Sequence, residues 1–296
     1  WDLVHAAEPS EDGMAAGARR REDGLWVYRT VSARQLFDTI VRSTYDHAEP
    51  GVVFLDRANA ENNLRYCERL AATNPCGEQP LPDYGCCCLG SIDLTRFVQD
   101  PFTAAAQLDG EGLAQVARMA VRMLDNVLEL TYWPLPQQRA EAMAKRRIGL
   151  GFTGLGDALV MLGLRYDSEP ARAWAAETAC LLRDAAYAAS VDLAVEKGRF
   201  PLFDAGRYLE SGFARRLPKA LRERIRAHGL RNSHLLSVAP TGTISLAFAD
   251  NASNGIEPAF AWTYLRRKRR SDGGQDQYPV EDHAYRLYRE MMGRQS

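Results

Sequence analysis

Residues 72–81 read ATNPCGEQPL, and residues 85–92 read GCCCLGSI. In the first stretch Asn74, Cys76 and Glu78 occupy alternate positions, separated by a proline and a glycine. Alternate residues of an extended backbone face the same side, so an amide, a thiol and a carboxyl group would meet one small ligand. The intervening proline and glycine favour a loop over a regular strand. Core packing does not require this combination, so we interpret the stretch as a site of chemistry.

Four other segments accompany these two stretches along the chain. They are GVVFLDR at 51–57, RIGLG at 147–151, APTGTIS at 239–245 and NGIEP at 254–258. In the residues of the motifs and in their order along the chain, the set resembles the ribonucleotide reductases. It is most similar to the adenosylcobalamin-dependent (class II) catalytic chain. The resemblance covers most of the chain, from about Val27 to Arg270. Matches in the same order are far more specific than any single motif.

The resemblance implies a fold as well. It implies an α/β architecture, a partial ten-stranded α/β barrel of the ribonucleotide reductase type with the Cys76 loop at its centre. Short apolar strands that alternate with long helices favour an α/β layout by themselves, but they do not distinguish a barrel from an open sheet. We expect residues 1–296 to form a single domain in which residues 1–24 are irregular. Because the chain does not begin with Met, we expect a central fragment of a longer catalytic chain, inactive alone.

The same resemblance implies roles for four residues. Cys76 becomes a transient thiyl radical that abstracts the ribose 3′ hydrogen, and Glu78 is the general base for the 3′ hydroxyl. Asn74 holds the ribose hydroxyls. Cys87, two residues before the LGSI segment, donates reducing equivalents and ends in a disulfide with a cysteine outside this chain. The three consecutive cysteines depart from the family's usual single Cys, and we expect the extra members, Cys86 and Cys88, to be packing residues.

Small and hydroxyl-bearing residues follow a predicted strand at 234–238. Such a turn lets backbone N–H groups converge on an anion, although an ordinary strand-to-helix turn with a Thr or Ser cap explains the residues equally well. The resemblance decides between the two, because the corresponding family loop holds the substrate phosphates. It assigns that role to Thr241, Gly242, Thr243, Ile244 and Ser245.

The implied reaction reduces ribonucleotides, as the diphosphates, to 2′-deoxyribonucleotides for DNA synthesis. The implied cofactor is adenosylcobalamin, the implied reductant is a thioredoxin-type or glutaredoxin-type protein, and a homodimer is an implied assembly. The class I (iron-dependent) catalytic subunit stays an alternative, because it shares Asn74, Cys76, Glu78 and Cys87 and draws its radical from another subunit.

Composition narrows the class of protein. The chain has 296 residues, 46% hydrophobic and 25% charged, with a formal net charge of −1. These values are typical of a globular protein without a field that attracts nucleic acid or an anionic membrane. The sequence contains no run of about 18 apolar residues, so we expect no transmembrane helix. Three of the six cysteines are consecutive, which fits no ordinary disulfide framework and favours a cytoplasmic location.

A cysteine-rich metal-binding module is an alternative from another class of protein. A zinc site needs about four ligands, commonly in Cys-x2-Cys pairs. Residues 86–88 do not have that spacing, and the five histidines are scattered. We therefore expect no metal site.

An NAD-dependent dehydrogenase is a third alternative, because Gly149–Gly154 matches G-x-G-x-x-G and Asp167 follows at a suitable distance. The basic residues at 145–147 leave no room for the buried strand that must precede such a motif. We therefore interpret the glycines as a strand-to-helix packing turn.

Hydrophobic periodicity predicts the main elements. We expect a strand at 27–31 and a helix at 33–45 capped by Ser32. A buried strand at 51–55 should lead to a polar loop at 56–63. A helix at 169–197 should begin after Ser168, with Pro170 in its first turn, and end at Gly198. A helix at 112–132 should bury Val116, Ala120, Met123, Val127 and Leu130. The basic run 265–270 most simply forms a solvated face, although a phosphate or interface role stays open.

Overall fold

The computed structural model describes residues 1–86 and 88–293, so Cys87 lies outside the described residues. Its content is mixed α/β, as expected. The chain divides into two compact units, Trp1–Phe54 and Leu55–Ser296. That residues 1–296 make one domain stays a prediction.

The first unit is a small antiparallel sheet followed by a long helix. Its elements are β1 (Asp2–His5), α1 (Glu11–Ala15), β2 (Arg19–Arg20), β3 (Trp26–Thr30) and α2 (Ala33–His47). Both β1 and β2 pair with β3, and the Asp2 carboxylate accepts a hydrogen bond from Thr30 at 2.6 Å. The expectation that residues 1–24 are irregular is therefore wrong, because β3 supplies a partner for each of the two short strands.

Local signals in this unit predict α2 well. The predicted strand and helix are confirmed, and the Ser32 side chain accepts a hydrogen bond from the Gln35 N–H at 3.4 Å. None of the residues in α2 is buried, and Phe37 is 65% exposed.

The predicted buried strand at 51–55 is wrong. Residues 51–54 are exposed and form neither helix nor strand, and Leu55 begins a helix. The run Leu-Asp-Arg-Ala-Asn-Ala-Glu contains good helix formers and no β-branched residue, so the helix prevails.

The second unit contains the remaining elements. Its strands are β4 (Ala72–Thr73), β5 (Pro80–Leu81), β6 (Cys88–Asp93), β7 (Val98–Gln99), β8 (Gln107–Leu108), β9 (Ile148–Thr153), β10 (Thr263–Arg269) and β11 (Gln275–Glu281). Its helices are α3 (Leu55–Glu61), α4 (Gly110–Leu130), α5 (Pro136–Lys145), α6 (Leu155–Met161), α7 (Glu169–Lys197), α8 (Ala205–Leu209), α9 (Gly212–Arg215), α10 (Lys219–His228), α11 (Gly242–Phe248) and α12 (His283–Gly293), and a 3-10 turn covers Leu94–Phe97.

A pair of parallel strands forms the centre of this unit. β6 and β9 run in register from Cys88 opposite Ile148 to Asp93 opposite Thr153, and all six residues of β9 are buried. Leu236 adds a parallel bridge to Leu150 on the other edge of β9, and the predicted strand at 234–238 is reduced to this bridge. The strands of the described residues do not close into a barrel.

Helix α4 packs against these strands and α7 packs against α4, but α4 is rotated relative to the predicted stripe. Its buried apolar residues are Leu113, Ala117, Val121, Leu124 and Leu128. Of the predicted stripe, Met123, Val127 and Leu130 are 57%, 39% and 85% exposed. The reason is a buried carboxylate: Asp125 accepts from Arg146 Nε at 2.8 Å and from Arg231 Nε at 3.2 Å, which turns its side of the helix inward.

The bounds predicted for α7 are confirmed. The Ser168 hydroxyl accepts a hydrogen bond from the Ala171 N–H at 3.3 Å, and Gly198, with φ of +87°, follows its last residue. None of the helices described here has both the length and the apolarity to cross a membrane. Residues 265–269 of the basic run lie in β10, whose residues are exposed throughout.

Candidate active site

The Cys76 segment is the tip of a short hairpin. β4 and β5 pair antiparallel, and Asn74 closes the loop between them: its N–H donates to the Gln79 carbonyl and its carbonyl accepts from the Gly77 N–H, both at 3.1 Å. Its side-chain oxygen accepts from the Gln79 N–H at 3.0 Å. The loop expected from the proline and the glycine is therefore confirmed as a tight turn, whereas the extended alternation of residues 74, 76 and 78 is wrong. Gly77, with φ of +85°, supplies the backbone freedom that the turn needs.

Within the loop, Cys76 and Glu78 lie in different environments. Cys76 is exposed at the tip of the hairpin. Glu78 is half-buried and lines a cavity of about 270 Å³ together with Gln79, Arg147 and His234. One carboxylate oxygen of Glu78, Oε2, is buried without a hydrogen-bond partner among the described residues. A buried acceptor without a partner is costly, so this oxygen is ready to take a hydrogen bond or a proton from a ligand.

A buried cluster of charges supports the hairpin from behind. Arg147 donates to the Pro80 carbonyl at 3.4 Å and to Glu68 Oε1 at 2.6 Å, and Lys145 pairs with Glu68 Oε2 at 2.7 Å. Burial raises the pKa of Glu68, but the charges of Arg147 and Lys145 outweigh it and hold the pKa below its ordinary value. Glu68 is therefore ionised and fixes Arg147 against the hairpin.

The wall of the cavity continues through a neutral histidine. Asn62 donates from Nδ2 to Glu68 Oε1 at 3.0 Å, so its Oδ1 is the acceptor that lies 3.1 Å from His234 Nε2. This assigns the proton to Nε2 and leaves Nδ1 to accept from the Ser233 hydroxyl at 3.0 Å. Burial, together with the charges of Arg147 and Lys145, lowers the pKa of His234 well below its ordinary value.

Asn62 and Asn63 are both buried, at 4% and 3% exposure, where the sequence predicts a polar loop at 56–63. That expectation is wrong, because α3 occupies most of the segment and the two amides point inward to partners. Asn63 donates to the Tyr208 hydroxyl at 3.0 Å and accepts from the Ser211 hydroxyl at 2.7 Å.

The consecutive cysteines lead into β6. Cys88 is the first residue of that strand, opposite Ile148, and both Cys86 and Cys88 are half-buried. Burial raises the pKa of the Cys86 thiol to about 11, and burial also raises that of Cys88. The predicted redox residue, Cys87, lies outside the described residues.

The second predicted segment is the turn that enters α11. Thr241 has φ of +61° and is buried, and its hydroxyl accepts from the Gly255 N–H at 2.9 Å. The Ser245 hydroxyl is also buried and lies 2.9 Å from Asn254 Oδ1. Gly242, Thr243 and Ile244 are exposed. The predicted phosphate-binding set is therefore divided into two buried and three exposed residues.

Strand β9 brings the hairpin and this turn to the same segment of chain. Near its start, Gly149 lies against Gln79 of the hairpin, and at its end Thr153 lies 2.8 Å from the Thr241 hydroxyl. Four residues of strand span about 13 Å. On the adjacent segment, the Ser237 hydroxyl donates to the Glu78 carbonyl at 3.1 Å, four residues before Thr241.

The glycines of β9 serve packing. A Cβ on Gly149 would lie 2.6 Å from Leu89 Cδ2, and one on Gly151 would overlap the Ser237 carbonyl. Both glycines lie inside the strand, whereas a dinucleotide fingerprint places its glycines in the turn after a strand. The arrangement therefore disfavours the dehydrogenase alternative. It also differs from the predicted packing turn, of which only Gly154, the residue before α6, is part.

Metal ligands do not cluster in the described chain. Among residues 1–86 and 88–293, no group of three His, Cys, Asp or Glu side chains could hold a metal ion. The metal-binding alternative has no support from this part of the chain.

Sequence reasoning missed the supporting residues Glu68, Lys145, Arg147 and His234. One signal was present: Lys145-Arg146-Arg147 directly precedes an apolar strand, and cations beside a buried strand need buried partners. All three are at most 5% exposed. Glu68, which pairs with both Lys145 and Arg147, lies 79 residues from Arg147, so the sequence does not identify it as their partner.

Comparisons with known proteins show the family of the chain. The family model described as ribonucleotide reductase, barrel domain, matches residues 8–290. A protein of Mycobacterium tuberculosis (strain CDC 1551 / Oshkosh) named vitamin B12-dependent ribonucleoside-diphosphate reductase is 42% identical over 80% of this chain and 31% of its own length. A protein of the same name from Thermoplasma acidophilum is 32% identical over 81% of this chain and 28% of its own length.

A third relative carries a different name. The ribonucleoside-diphosphate reductase subunit alpha of Synechocystis is 31% identical over 77% of this chain and 30% of its own length. The chain thus spans about a third of the length of these curated relatives. Since the family model matches nearly the whole chain, the chain belongs to the ribonucleotide reductase barrel-domain family.

Proposed function

We propose that this chain is the central part of the catalytic chain of an adenosylcobalamin-dependent ribonucleotide reductase. The proposed reaction reduces ribonucleoside diphosphates to 2′-deoxyribonucleotides: the 2′ oxygen leaves as water, and a pair of thiols is oxidised to a disulfide. The names of two of the relatives, at 42% and 32% identity, support the substrate and the cofactor.

One observation carries the proposal. The hairpin that exposes Cys76 also holds the Glu78 carboxylate oxygen that has no partner among the described residues, and Ser237 ties the hairpin to the segment that ends in the Thr241 turn. A thiol, a base and an anion-binding turn are the groups that a nucleotide reductase must present to one substrate. Four residues of extended chain from Ser237 to Thr241 span at most about 14 Å, a distance that a nucleotide can bridge.

In this proposal each residue of the hairpin has one task. Cys76, as a thiyl radical, removes the 3′ hydrogen of the ribose, and Glu78 takes the proton of the 3′ hydroxyl through its unpartnered oxygen. The Asn74 carbonyl oxygen is used inside the loop, so its NH2 group is the part that donates to a ribose hydroxyl. Cys87 donates reducing equivalents, a role that rests on the family resemblance.

The exposed position of Cys76 fits a radical source that binds outside the hairpin. Adenosylcobalamin, when bound, supplies the radical chemistry through its Co–C bond. In this proposal the protein's own task is to position the ribose beside Cys76 and Glu78. The class I alternative is supported by relatives named subunit alpha, of which the Synechocystis protein is 31% identical.

We place the nucleotide's phosphates at Thr241–Ser245. The exposed residues Gly242, Thr243 and Ile244 offer backbone N–H groups and one hydroxyl there. The proposed assembly completes a ten-stranded α/β barrel in which β6 and β9 are neighbouring strands. A thioredoxin-type or glutaredoxin-type reductant, a homodimer and a cytoplasmic location belong to the same proposal.

The test is the reduction of a ribonucleoside diphosphate by the complete catalytic chain with a dithiol reductant. We expect deoxyribonucleotide only when adenosylcobalamin is added, and none from cobalamin without the adenosyl group. Turnover without adenosylcobalamin but with an iron-containing partner subunit would support the class I alternative. An absence of product under both conditions would contradict the proposed function.

A further inference from the structure

A chain of buried hydroxyls connects the end of β9 to the Thr241 turn. The Thr153 hydroxyl lies 2.8 Å from the Thr241 hydroxyl and 3.0 Å from the Ser253 carbonyl oxygen. The Gly255 N–H donates to the Thr241 hydroxyl at 2.9 Å. Thr153 is 2% exposed and Thr241 is 8% exposed. Three segments that are remote in sequence thus meet through two side chains.

Only one arrangement of protons satisfies all three contacts. A carbonyl oxygen can only accept, so the single proton of Thr153 goes to Ser253. Thr241 must then donate its own proton to Thr153, while it accepts from Gly255. The Thr241 hydroxyl has no proton left for another partner. Thr241 therefore cannot donate a side-chain hydrogen bond to a bound phosphate.

The backbone at Thr241 is also unusual. Its φ of +61° lies in the left-handed region, which a β-branched residue adopts rarely and at a cost. Glycine or asparagine would adopt it more readily, but neither carries a hydroxyl for Thr153. Gly255 holds the same turn from the other side, since a Cβ there would lie 2.7 Å from the Ala239 carbonyl oxygen. The turn is therefore strained and held on both sides.

We propose that Thr153 is a positioning residue for the nucleotide site, acting through the Thr241 hydroxyl. This inference rests on the proposed function. Thr153 holds the strained turn so that the exposed backbone of Gly242–Ile244 faces the phosphates. Thr241 contributes to the nucleotide site through its backbone conformation. The exposed hydroxyl of Thr243 contacts a phosphate. Ser245 acts in the same way as Thr241, because its buried hydroxyl contacts Asn254 and the Gly242 carbonyl.

The chain offers a matched set of variants. Thr153→Val removes the hydroxyl and keeps the shape, and Thr153→Ser restores the hydroxyl. Thr178→Val is the control, because Thr178 is equally buried, at 2% exposure, and its hydroxyl has no hydrogen-bond partner among the described residues. The variants are compared in the complete catalytic chain.

Two measurements together decide the inference. For Thr153→Val we expect the KM for the ribonucleoside diphosphate to rise by about tenfold, the equivalent of one hydrogen bond, with kcat within about twofold. Thr153→Ser and Thr178→Val should keep the KM of the wild type. By hydrogen exchange, the Gly255 N–H should exchange faster in Thr153→Val than in the other variants.

The outcomes separate this inference from the proposed function. If the wild type reduces nucleotides and Thr153→Val keeps its KM, the positioning role is wrong and the proposed function stands. If exchange at Gly255 is the same in all variants, the hydroxyl chain does not hold the turn and the inference also fails. If the wild type converts no nucleotide, the proposed function fails, and the positioning role for a nucleotide fails with it.

Discussion

The Ser237 hydroxyl donates a hydrogen bond to the backbone carbonyl of Glu78 at 3.1 Å, across 159 residues of chain. Ser237 is buried, at 8% exposure, and follows the bridge between Leu236 and Leu150. The contact ties the Cys76 hairpin to the segment that runs into the Thr241 turn.

We expect Glu78→Gln to lose catalysis while it retains substrate affinity. A general base contributes about 10²- to 10⁴-fold, so kcat should fall by that factor with little change in KM. The control is Glu223→Gln on α10, an exposed carboxylate paired with Lys219. Steady-state kinetics of the complete chain measure both, and a kcat within threefold of the wild type for Glu78→Gln would contradict the role of the base.

Removal of the Arg147 charge should destabilise the protein strongly. Arg147→Met leaves Glu68, whose side chain is 2% exposed, with one cation fewer, and a broken buried ion pair costs about 3–5 kcal/mol. Arg122→Met breaks an exposed pair with Glu196 and should cost at most about 1 kcal/mol. Urea unfolding measures the two free energies, and equal losses would show that the buried cluster does not stabilise the hairpin.

A methyl group on Gly151 should disturb the Ser237 segment. The added Cβ would overlap the Ser237 carbonyl, and such overpacking costs about 1–3 kcal/mol. Gly206→Ala in α8 is the control, because its Cβ would meet nothing closer than 3.5 Å and alanine favours a helix. Thermal unfolding should show a lower Tm for Gly151→Ala alone, and an unchanged Tm would mean that β9 and residue 237 are not in close contact.

The free energy of unfolding should decrease as pH rises because of Asp157. Burial, with the nearby Asp282 carboxyl, raises the pKa of Asp157 from 3.8 to about 8. Between these values the folded protein keeps a proton that the unfolded chain has lost, so the free energy of unfolding decreases as pH rises. Asp157→Asn should remove this part of the decrease between pH 5 and pH 8.

The comparison for that prediction is Asp272→Asn, since Asp272 is exposed in the turn between β10 and β11. Chemical unfolding at the two pH values gives the difference directly. If Asp157→Asn and the wild type lose the same stability between pH 5 and pH 8, Asp157 is ionised throughout and the prediction is wrong.

Part of the fold was predictable because it depends on interactions between residues that are close in sequence. Ser32 and Ser168 start helices because their side chains accept backbone N–H groups three residues on, and Gly198 ends one with a positive φ. These signals lie within a few residues of the structure that they determine. The loop around Cys76 was predictable for a related reason, because a proline and a glycine separate Asn74, Cys76 and Glu78. The roles of these three residues stay a prediction.

Contacts across long stretches of sequence were not predictable. The prediction of the buried face of α4 was wrong because Asp125 pairs with Arg146 and Arg231, which lie 21 and 106 residues away. The hydroxyl chain joins Thr153 to Thr241 across 88 residues. Periodicity registers only how apolar a face is, so it cannot find a buried charge or hydroxyl whose partner comes from another element.

Product formation by the complete catalytic chain with Cys76→Ala tests the proposed radical reaction most directly. The control is Cys180→Ala, which removes another exposed thiol, on α7. With adenosylcobalamin and a dithiol present, we predict no deoxyribonucleotide from Cys76→Ala, nucleotide binding close to that of the wild type, and unchanged turnover for Cys180→Ala. Appreciable turnover by Cys76→Ala would contradict the radical role of Cys76 and with it the central claim.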